Sequence, residues 1–325
     1  MNYTIFGESH GPAIGVVLTG VPAGLELDMD AVAAEMARRA PGQDPTATAR
    51  KEADQVEILS GVFEGKTCGT PLAAIIHNTD TRSKDYSKLK DLPRPSHGDY
   101  AGSVRYAGCN DYRGGGHFSG RLTAPLVFAG AVAKQILAPM GITVSSRVSM
   151  VGGVADPTEE QINEIILAAK ADGDSVGGAI AGTVTGIPAG HGAPDLGENA
   201  EGIFARHLFA VPAVKGLSFG AGFAFASMRG SQANDPFYMD GDTVKTRTNH
   251  SGGINGGITN GMPLTFEVAI RPTPSIAREQ QTVSLSRKAD ETLIINGRHD
   301  PCIVRRALPV IEAAAALATV ELLGK

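Results

Sequence analysis

An α+β fold in a single domain-sized unit, residues 1–325, is predicted by three features of the chain. Helical and strand-like segments come in mixed order, without the βαβαβ series that builds a doubly wound parallel sheet. Several strand pairs lie close enough in sequence to form hairpins, which favours antiparallel sheets. No strict repeat and no Ser/Pro-rich linker divides the chain, although its length alone would allow two domains.

The elements follow in order. Ile14 to Thr19 (IGVVLT) is short, rich in β-branched residues and closed by Gly20, so it reads as a strand. Asp28 caps a helix from Met29 to about Arg39, stopped by Ala40-Pro41-Gly42. VEILSGVFEGKTCGTPLAAIIHN holds two β-rich runs around Phe63-Glu64-Gly65-Lys66 and reads as a hairpin. A polar loop, TDTRSKDYSKLKDLPRPSHGDY, leads to Gly114-Gly115-Gly116. A long helix follows from about Thr123, with Pro125 in its first turn, to Pro139. ITVSSRVSMVGGV is a strand, Asp156-Pro157 starts the helix EEQINEIILAAKA, and AIAGTVTGI is again a strand. GENAEGIFARHLFAV has helical spacing, VKGLSFGAGF is a glycine-rich strand, and MPLTFEVAI alternates as a strand. The last helix runs from about Pro309 to Leu323, apolar on most faces and therefore deeply buried.

Composition narrows the function classes. A net charge of −5 argues against nucleic acid as a partner. The longest apolar stretch, around Ala124 to Ala138, is broken by Lys134 and Gln135, short of the roughly 18 unbroken residues of a membrane span. The N-terminus lacks the zones of a signal peptide. Cys68, Cys109 and Cys302 are odd in number and without metal-ligand spacing. A reduced cytoplasmic setting with neither disulfide framework nor bound metal is therefore expected. Arginines nevertheless bunch: Arg38, Arg39 and Arg50, then Arg94, Arg105, Arg113 and Arg121. Any one of them reads as solvated surface; clustered beside glycine-rich loops, they converge on a small anion.

Gly7-Glu8-Ser9-His10-Gly11 matches G-x-S-x-G, the nucleophile elbow of serine hydrolases. That elbow needs a strand before the serine and a helix after it, and here AIGVVLTG follows as a strand. The stretch reads instead as a tight turn presenting Ser9 and His10. Arg94-Pro95-Ser96-His97-Gly98-Asp99-Tyr100 sets a second histidine beside an arginine and a carboxylate, where a bound anion would hold a proton on the imidazole. GGGHFSGR (Gly114 to Arg121) opens a helix with backbone N–H groups, a hydroxyl and a guanidinium. SGGINGGITNGM (Ser251 to Met262) and Gly297-Arg298-His299-Asp300-Pro301 are further candidate loops. No P-loop and no dinucleotide-binding glycine fingerprint is present.

Together FGESHG, RPSHGDY, DYRGGG, SGGINGGITNGMP and GRHDPC, in order over essentially the whole chain, resemble the chorismate synthase family. The resemblance implies a β-α-β sandwich with central helices between antiparallel sheets, assembled as a homotetramer. It implies conversion of 5-enolpyruvylshikimate 3-phosphate to chorismate by 1,4-anti elimination of phosphate, with reduced FMN required and no net redox change. By position, His10 would hold the proton near flavin N1, and His97 would be the acid beside the departing phosphate. Asp300 would help flavin N5 accept the substrate's C6 proton. Arg39, Arg94, Arg121 and Arg298, with Ser9 and Ser119, would grip the anionic substrate. The positions implied for FMN are His117, Phe118, Ser119, Pro212, Ala213, Gly256, Arg271, Pro272, Thr273, Pro274, Ser275 and Arg298. Some family members reduce their own flavin with NADPH; with no extra segment for that here, an external flavin reductase is expected.

The chain also departs from the family pattern. His117, Phe118 and Leu122 stand where the family usually has arginine, serine and glutamate, Pro45 falls on a usual arginine, and RPGHAD has become RPSHGD. Phe118 could either stack near the flavin or pack against its own helix. Two rival readings remain at this stage: a serine hydrolase, and an anion-binding module without chemistry.

Overall fold

The computed structural model describes residues 1–40, 54–79, 89–195, 197–295 and 300–324. The chain starts on a strand that sequence patterning does not single out. β1 (Asn2–Gly7) pairs antiparallel with β2 (Ala13–Thr19), Gly7 opposite Ile14. It is an edge strand, with only Tyr3, Ile5 and Gly7 half-buried, so its apolar signal is weak. The hairpin turn falls where the sequence places it, at Phe63-Glu64-Gly65-Lys66, but β3 (Val56–Ser60) does not run unbroken into it. The intervening chain folds into a small hairpin of its own, β4 (Val62–Phe63) with β5 (Lys66–Thr67), before β6 (Leu72–His77) returns along β3. Glu64 and Gly65 take φ values of 49° and 76°, the left-handed pair that matches the twist of a two-residue hairpin. The sheet order is β1-β2-β6-β3. Ile14, Val16, Leu18, Leu72, Ala74 and Ile76 alternate onto its buried face.

Seven α-helices lie among the described residues. α1 (Met29–Arg39) begins where Asp28 accepts hydrogen bonds from the N–H groups of Asp30 and Ala31. α2 (Asp99–Arg105) starts on the last two residues of the polar loop and runs on into the stretch before the glycine run, where no element was expected. α3 (Thr123–Leu137) and α4 (Glu159–Ala171) follow. The cap of α4 is Thr158, in a reciprocal box with Gln161, rather than Asp156-Pro157. α5 (Ala200–Phe209) is capped by Asn199, and α6 (Gly230–Ala233) is a single turn. α7 (Val304–Leu322) begins five residues before the expected start, with Pro309 inside it. The missing proline N–H forgoes one helical hydrogen bond, and burial of Val304 and Ala307 draws the preceding turn into the helix all the same.

The second sheet contains β7 (Thr143–Val151), β8 (Val154–Ala155), β9 (Gly178–Thr185) and β10 (Val214–Phe219). β10 ends four residues short of the predicted strand because Gly222–Ser227 turns into a 3₁₀ helix. Two hairpins come next, β11 (Phe237–Asp240) with β12 (Thr243–Thr246) and β13 (Ile254–Asn255) with β14 (Ile258–Thr259). The sheet is completed by β15 (Leu264–Ile270) in the antiparallel order β10-β15-β9-β7-β8. A last hairpin, β16 (Gln280–Ser284) with β17 (Ala289–Leu293), precedes α7.

α3 packs on β2 and β6, α7 packs on β7 and β9, and the two helices pack on each other. The layering is therefore sheet, helices, sheet, as expected. Small residues make this possible: a Cβ on Gly130 of α3 would overlap Ala313 of α7, and Ala313 to Ala316 are all within 1% of full burial. Gly120–Met140 is long and apolar enough to cross a membrane, but 72% of that window is buried, as befits a core helix. Glu312 of α7 accepts hydrogen bonds from Arg38, Lys134 and Ser146, tying α1, α3 and β7 to the helix.

Candidate active site

Ser9 and His10 occupy the turn between β1 and β2. A strand does precede the serine, but a strand also follows it, so the elbow geometry is absent. Ser9 Oγ is buried without a hydrogen-bond partner among the described residues, so no base is aligned on it. Its backbone N–H donates to Gly116 O at 3.1 Å, which fastens the turn to the glycine run. Asn78, at the end of β6, clasps the same turn. Its Nδ2 donates to Glu8 O at 3.0 Å and Gly11 O at 2.9 Å, and its Oδ1 accepts from Arg121 Nε at 3.0 Å.

The glycine run brings the two histidines to one place. Gly114 and Gly115 have φ of 60° and 85°, which favours glycine. A Cβ on Gly114 would overlap the His10 ring; one on Gly115 would lie 3.1 Å from His97 Cε1 and 3.2 Å from Nε2. His10 and His97 thus pack against adjacent glycines of one stretch of backbone.

His97 is held by Asp99, in the first turn of α2. Its Nδ1 lies 2.6 Å from Asp99 Oδ1, which assigns the Nδ1 proton to that bond and leaves Nε2 on the Gly115 side. The same carboxylate accepts from Arg94 N, Nε and NH2 at 3.0, 2.7 and 2.8 Å. Arg94 NH1 reaches on to Ser275 Oγ at 3.1 Å. Burial opposes ionisation of Asp99, yet the bonds from Arg94 and His97 hold its carboxyl well below the ordinary range. Burial is also the main influence on His97; reinforced by Arg94 and Arg271 and opposed by Asp99, it holds the imidazole below its usual value.

A second cluster is organised by Asp54, fully buried just before β3. Its carboxylate takes Arg39 Nε at 2.8 Å and NH2 at 2.7 Å, and also pairs with Arg121 NH1. Burial lowers Arg39 to about 10, with Asp54 opposing and Arg306 and Arg121 adding, so it stays charged at neutral pH. Asp300 pairs with Arg306, whose Nε donates to Arg39 O at 3.2 Å. Arg271 makes no ion pair with a carboxylate among the described residues, and burial lowers it too.

These clusters border one pocket of about 270 Å³. Of the expected site residues, Arg39, Arg94, His97, Phe118, Ser119, Arg121, Pro212, Ala213, Arg271, Pro272, Thr273, Pro274, Ser275 and Asp300 line it. Ser9 and His10 lie behind Gly114, which does line it. His117 points elsewhere, its Nδ1 2.9 Å from Gly7 O, and is exposed. Gly256 sits in the β13–β14 turn and is not brought to the pocket within this chain. Arg298, Pro45 and Arg50 lie outside the described residues.

Five guanidinium groups line the pocket (Arg39, Arg94, Arg121, Arg271 and Arg306). Among the described residues, three carboxylates pair with four of them: Asp54 with Arg39 and Arg121, Asp99 with Arg94, and Asp300 with Arg306. Guanidinium groups so placed can receive a polyanion and neutralise charge that develops on it. Asp54, Asn78 and Arg306 were not singled out by sequence. Asp54 and Asn78 flank strands as ordinary polar residues, and Arg306 fell ahead of the expected helix start; only contacts across long sequence separations give them meaning.

The family model for chorismate synthase matches residues 1–323. A chorismate synthase of Methanothermobacter thermautotrophicus is 47% identical, the alignment covering 97% of this chain and 90% of that protein. One of Thermococcus kodakarensis is 45% identical over 97% of this chain and 94% of its own. A crystal structure of a chorismate synthase superposes with a TM-score of 0.76 at 26% identity, covering 99% of this chain and 91% of that one.

Proposed function

The chain belongs to the chorismate synthase family, and from that premise we propose that it converts 5-enolpyruvylshikimate 3-phosphate to chorismate and phosphate. The reaction is a 1,4-anti elimination requiring reduced FMN, in the shikimate pathway toward aromatic amino acids. The observation that carries this reading is the positively charged pocket in which His97, backed by Asp99, faces a cluster of buried arginines. A substrate with a phosphate and two carboxylates calls for such guanidinium forks.

The pocket also suits the phosphate-bearing flavin. Arg271 has no carboxylate partner among the described residues, and Thr273 Oγ1 is buried without a hydrogen bond; both residues line the pocket. Arg271, Thr273, Ser275 and the prolines between them would hold it. When bound, reduced FMN supplies transient electron density to the elimination, which no side chain can supply.

The chain's own groups do the rest. Arg39 and Arg121, locked by Asp54, and Arg94, locked by Asp99, grip the substrate's acidic groups with little reorganisation. Arriving phosphate brings negative charge beside His97 and draws a proton onto Nε2, so the acid is charged when the leaving group needs it. His10, behind Gly114, holds a second proton on the far side of the glycine run. Asp300, oriented by Arg306, is the carboxylate assigned to the proton leaving substrate C6.

A cytoplasmic enzyme served by an external flavin reductase fits this reading. A homotetramer would cover the apolar side chains of Phe223, Phe225, Phe237, Met239 and Val244, of which Phe223 is 90% exposed. The test is anaerobic phosphate release from the substrate with dithionite-reduced FMN, run beside NADPH with oxidised FMN. Release in the first arm alone is expected. An anion-binding module would bind the substrate and release nothing, and that result would overturn the proposal.

A further inference from the structure

α2 carries Asp99 and follows His97; it is capped by one glycine and carries a second in its interior, where helix stability argues against it. Gly98 caps it with φ of −72°, and Gly102 lies one turn on. Neither has a backbone conformation that excludes alanine, since neither φ is positive. What excludes a side chain is Phe118. A Cβ on Gly98 would lie 2.9 Å from Phe118 Cγ, and one on Gly102 would lie 2.7 Å from Cζ. Tyr106, another turn along, closes the same stripe, its ring centroid 6.4 Å from that of Phe118. The Phe118 ring therefore fills a groove made by two glycines and bounded by a tyrosine.

This groove and the site share a backbone. Gly98 sits between His97 and Asp99, and Gly115, against which His97 packs, lies three residues before Phe118. The loop that carries His97 is thus pinned to the glycine run at two points: the imidazole on Gly115 and the Phe118 ring on Gly98 and Gly102. Asp99 and Arg94 hold the imidazole from within its own loop; the Phe118 contact fixes where that loop sits on the glycine run.

We propose that Phe118 is a positioning residue for His97, an aromatic key whose seat is the Gly98–Gly102 groove. The inference rests on His97 as the acid of the proposed reaction. A displacement of about 1 Å at a reacting group lowers a rate by up to about a hundredfold. Phe118→Ala is therefore expected to lower kcat about 10- to 100-fold while KM for substrate and flavin stays within about threefold. Gly98→Ala should act in the same direction, because its methyl meets the ring. Gly98→Ala with Phe118→Ala should recover at least about tenfold over Gly98→Ala alone, since the space the ring occupied then receives the methyl.

A readout independent of turnover accompanies the kinetics: the imidazole titration of His97 in ¹³C-histidine-labelled protein, followed by NMR without flavin. Arg94, Asp99 and Arg271 face that ring, and loss of the seat changes its distance to them. The titration should shift in Phe118→Ala and return toward wild type in the double variant. If Phe118→Ala does not fold, Phe118→Leu keeps apolar filling without the flat ring and should show a smaller shift of the same sign. Additive effects of the two substitutions, or a raised KM with kcat intact, would overturn the proposal in favour of direct ligand contact. If the wild type releases no phosphate, the role of His97 falls, while an unchanged titration in Phe118→Ala independently removes the seat.

Discussion

Asp54→Asn tests the electrostatic frame of the pocket without relying on any chemistry. The substitution is isosteric. Asp54 has φ of 49°, a left-handed conformation that asparagine tolerates well, so the backbone adds no penalty. What changes is charge: Arg39 and Arg121, each 3% exposed at the side chain, lose their shared counter-ion, and one of them meets an amide N–H₂. Removing one partner from a buried ion pair costs about 3–5 kcal/mol. A chain of 325 residues unfolds with an entropy near 0.7 kcal/mol per kelvin. The expected fall in Tm is therefore about 4–7 °C, read by calorimetry at neutral pH. Inorganic phosphate should restore more of it in the variant than it adds to the wild type, because an anion can take over the vacated charge. A Tm within about 1 °C of wild type, with no difference in the phosphate response, would refute the role of Asp54 as a clamp.

The other predictions concern catalysis, affinity and pH. His10→Ala and His97→Ala should each lower turnover by about two orders of magnitude or more, the usual worth of a general acid; wild-type rates for both under reduced, anaerobic conditions would void the assigned roles. Arg271→Met should weaken FMN binding about 10- to 100-fold with Tm unchanged, as expected for a charged hydrogen-bonding group with no carboxylate partner among the described residues; unchanged affinity in a titration would remove Arg271 from the anion site. Burial is the first cause holding both His97 and His207 below the ordinary imidazole value near 6.5. Their unfolded forms take up protons first, so the stability tied to them is intact above about pH 6.5 and lost as pH falls through their folded values. Tm should fall from pH 7 to 5.5, and His207→Gln should flatten the fall; an equal slope in the variant would exclude that histidine.

Local chemistry made much of the fold legible. The cap at Asp28, the β-branched run of β2, the start of α3 at Thr123 and the alternation of β15 all lie where side-chain pattern and backbone preference agree. Where they disagree, tertiary burial decided: Pro309 inside α7, and β1 formed from weakly apolar residues because β2 offers it an edge. The same division runs through the site. Histidine, arginine and glycine in short charged turns announced an anion-handling centre. Asp54 between two arginines, Asn78 on the His10 turn and the glycine seat of Phe118 were silent, since an unremarkable polar or apolar residue acquires its role only from what it touches.

By itself, then, the sequence determined which residue types were present in which turns, and hence the family and the kind of chemistry. Only the tertiary structure decided how those turns meet: two imidazoles on neighbouring glycines and, among the described residues, four pocket arginines paired with three carboxylates beside an Arg271 that pairs with none. The physical reason is range. Propensity and capping act over a few residues, whereas burial of charge is settled by partners brought together from the whole length of the chain.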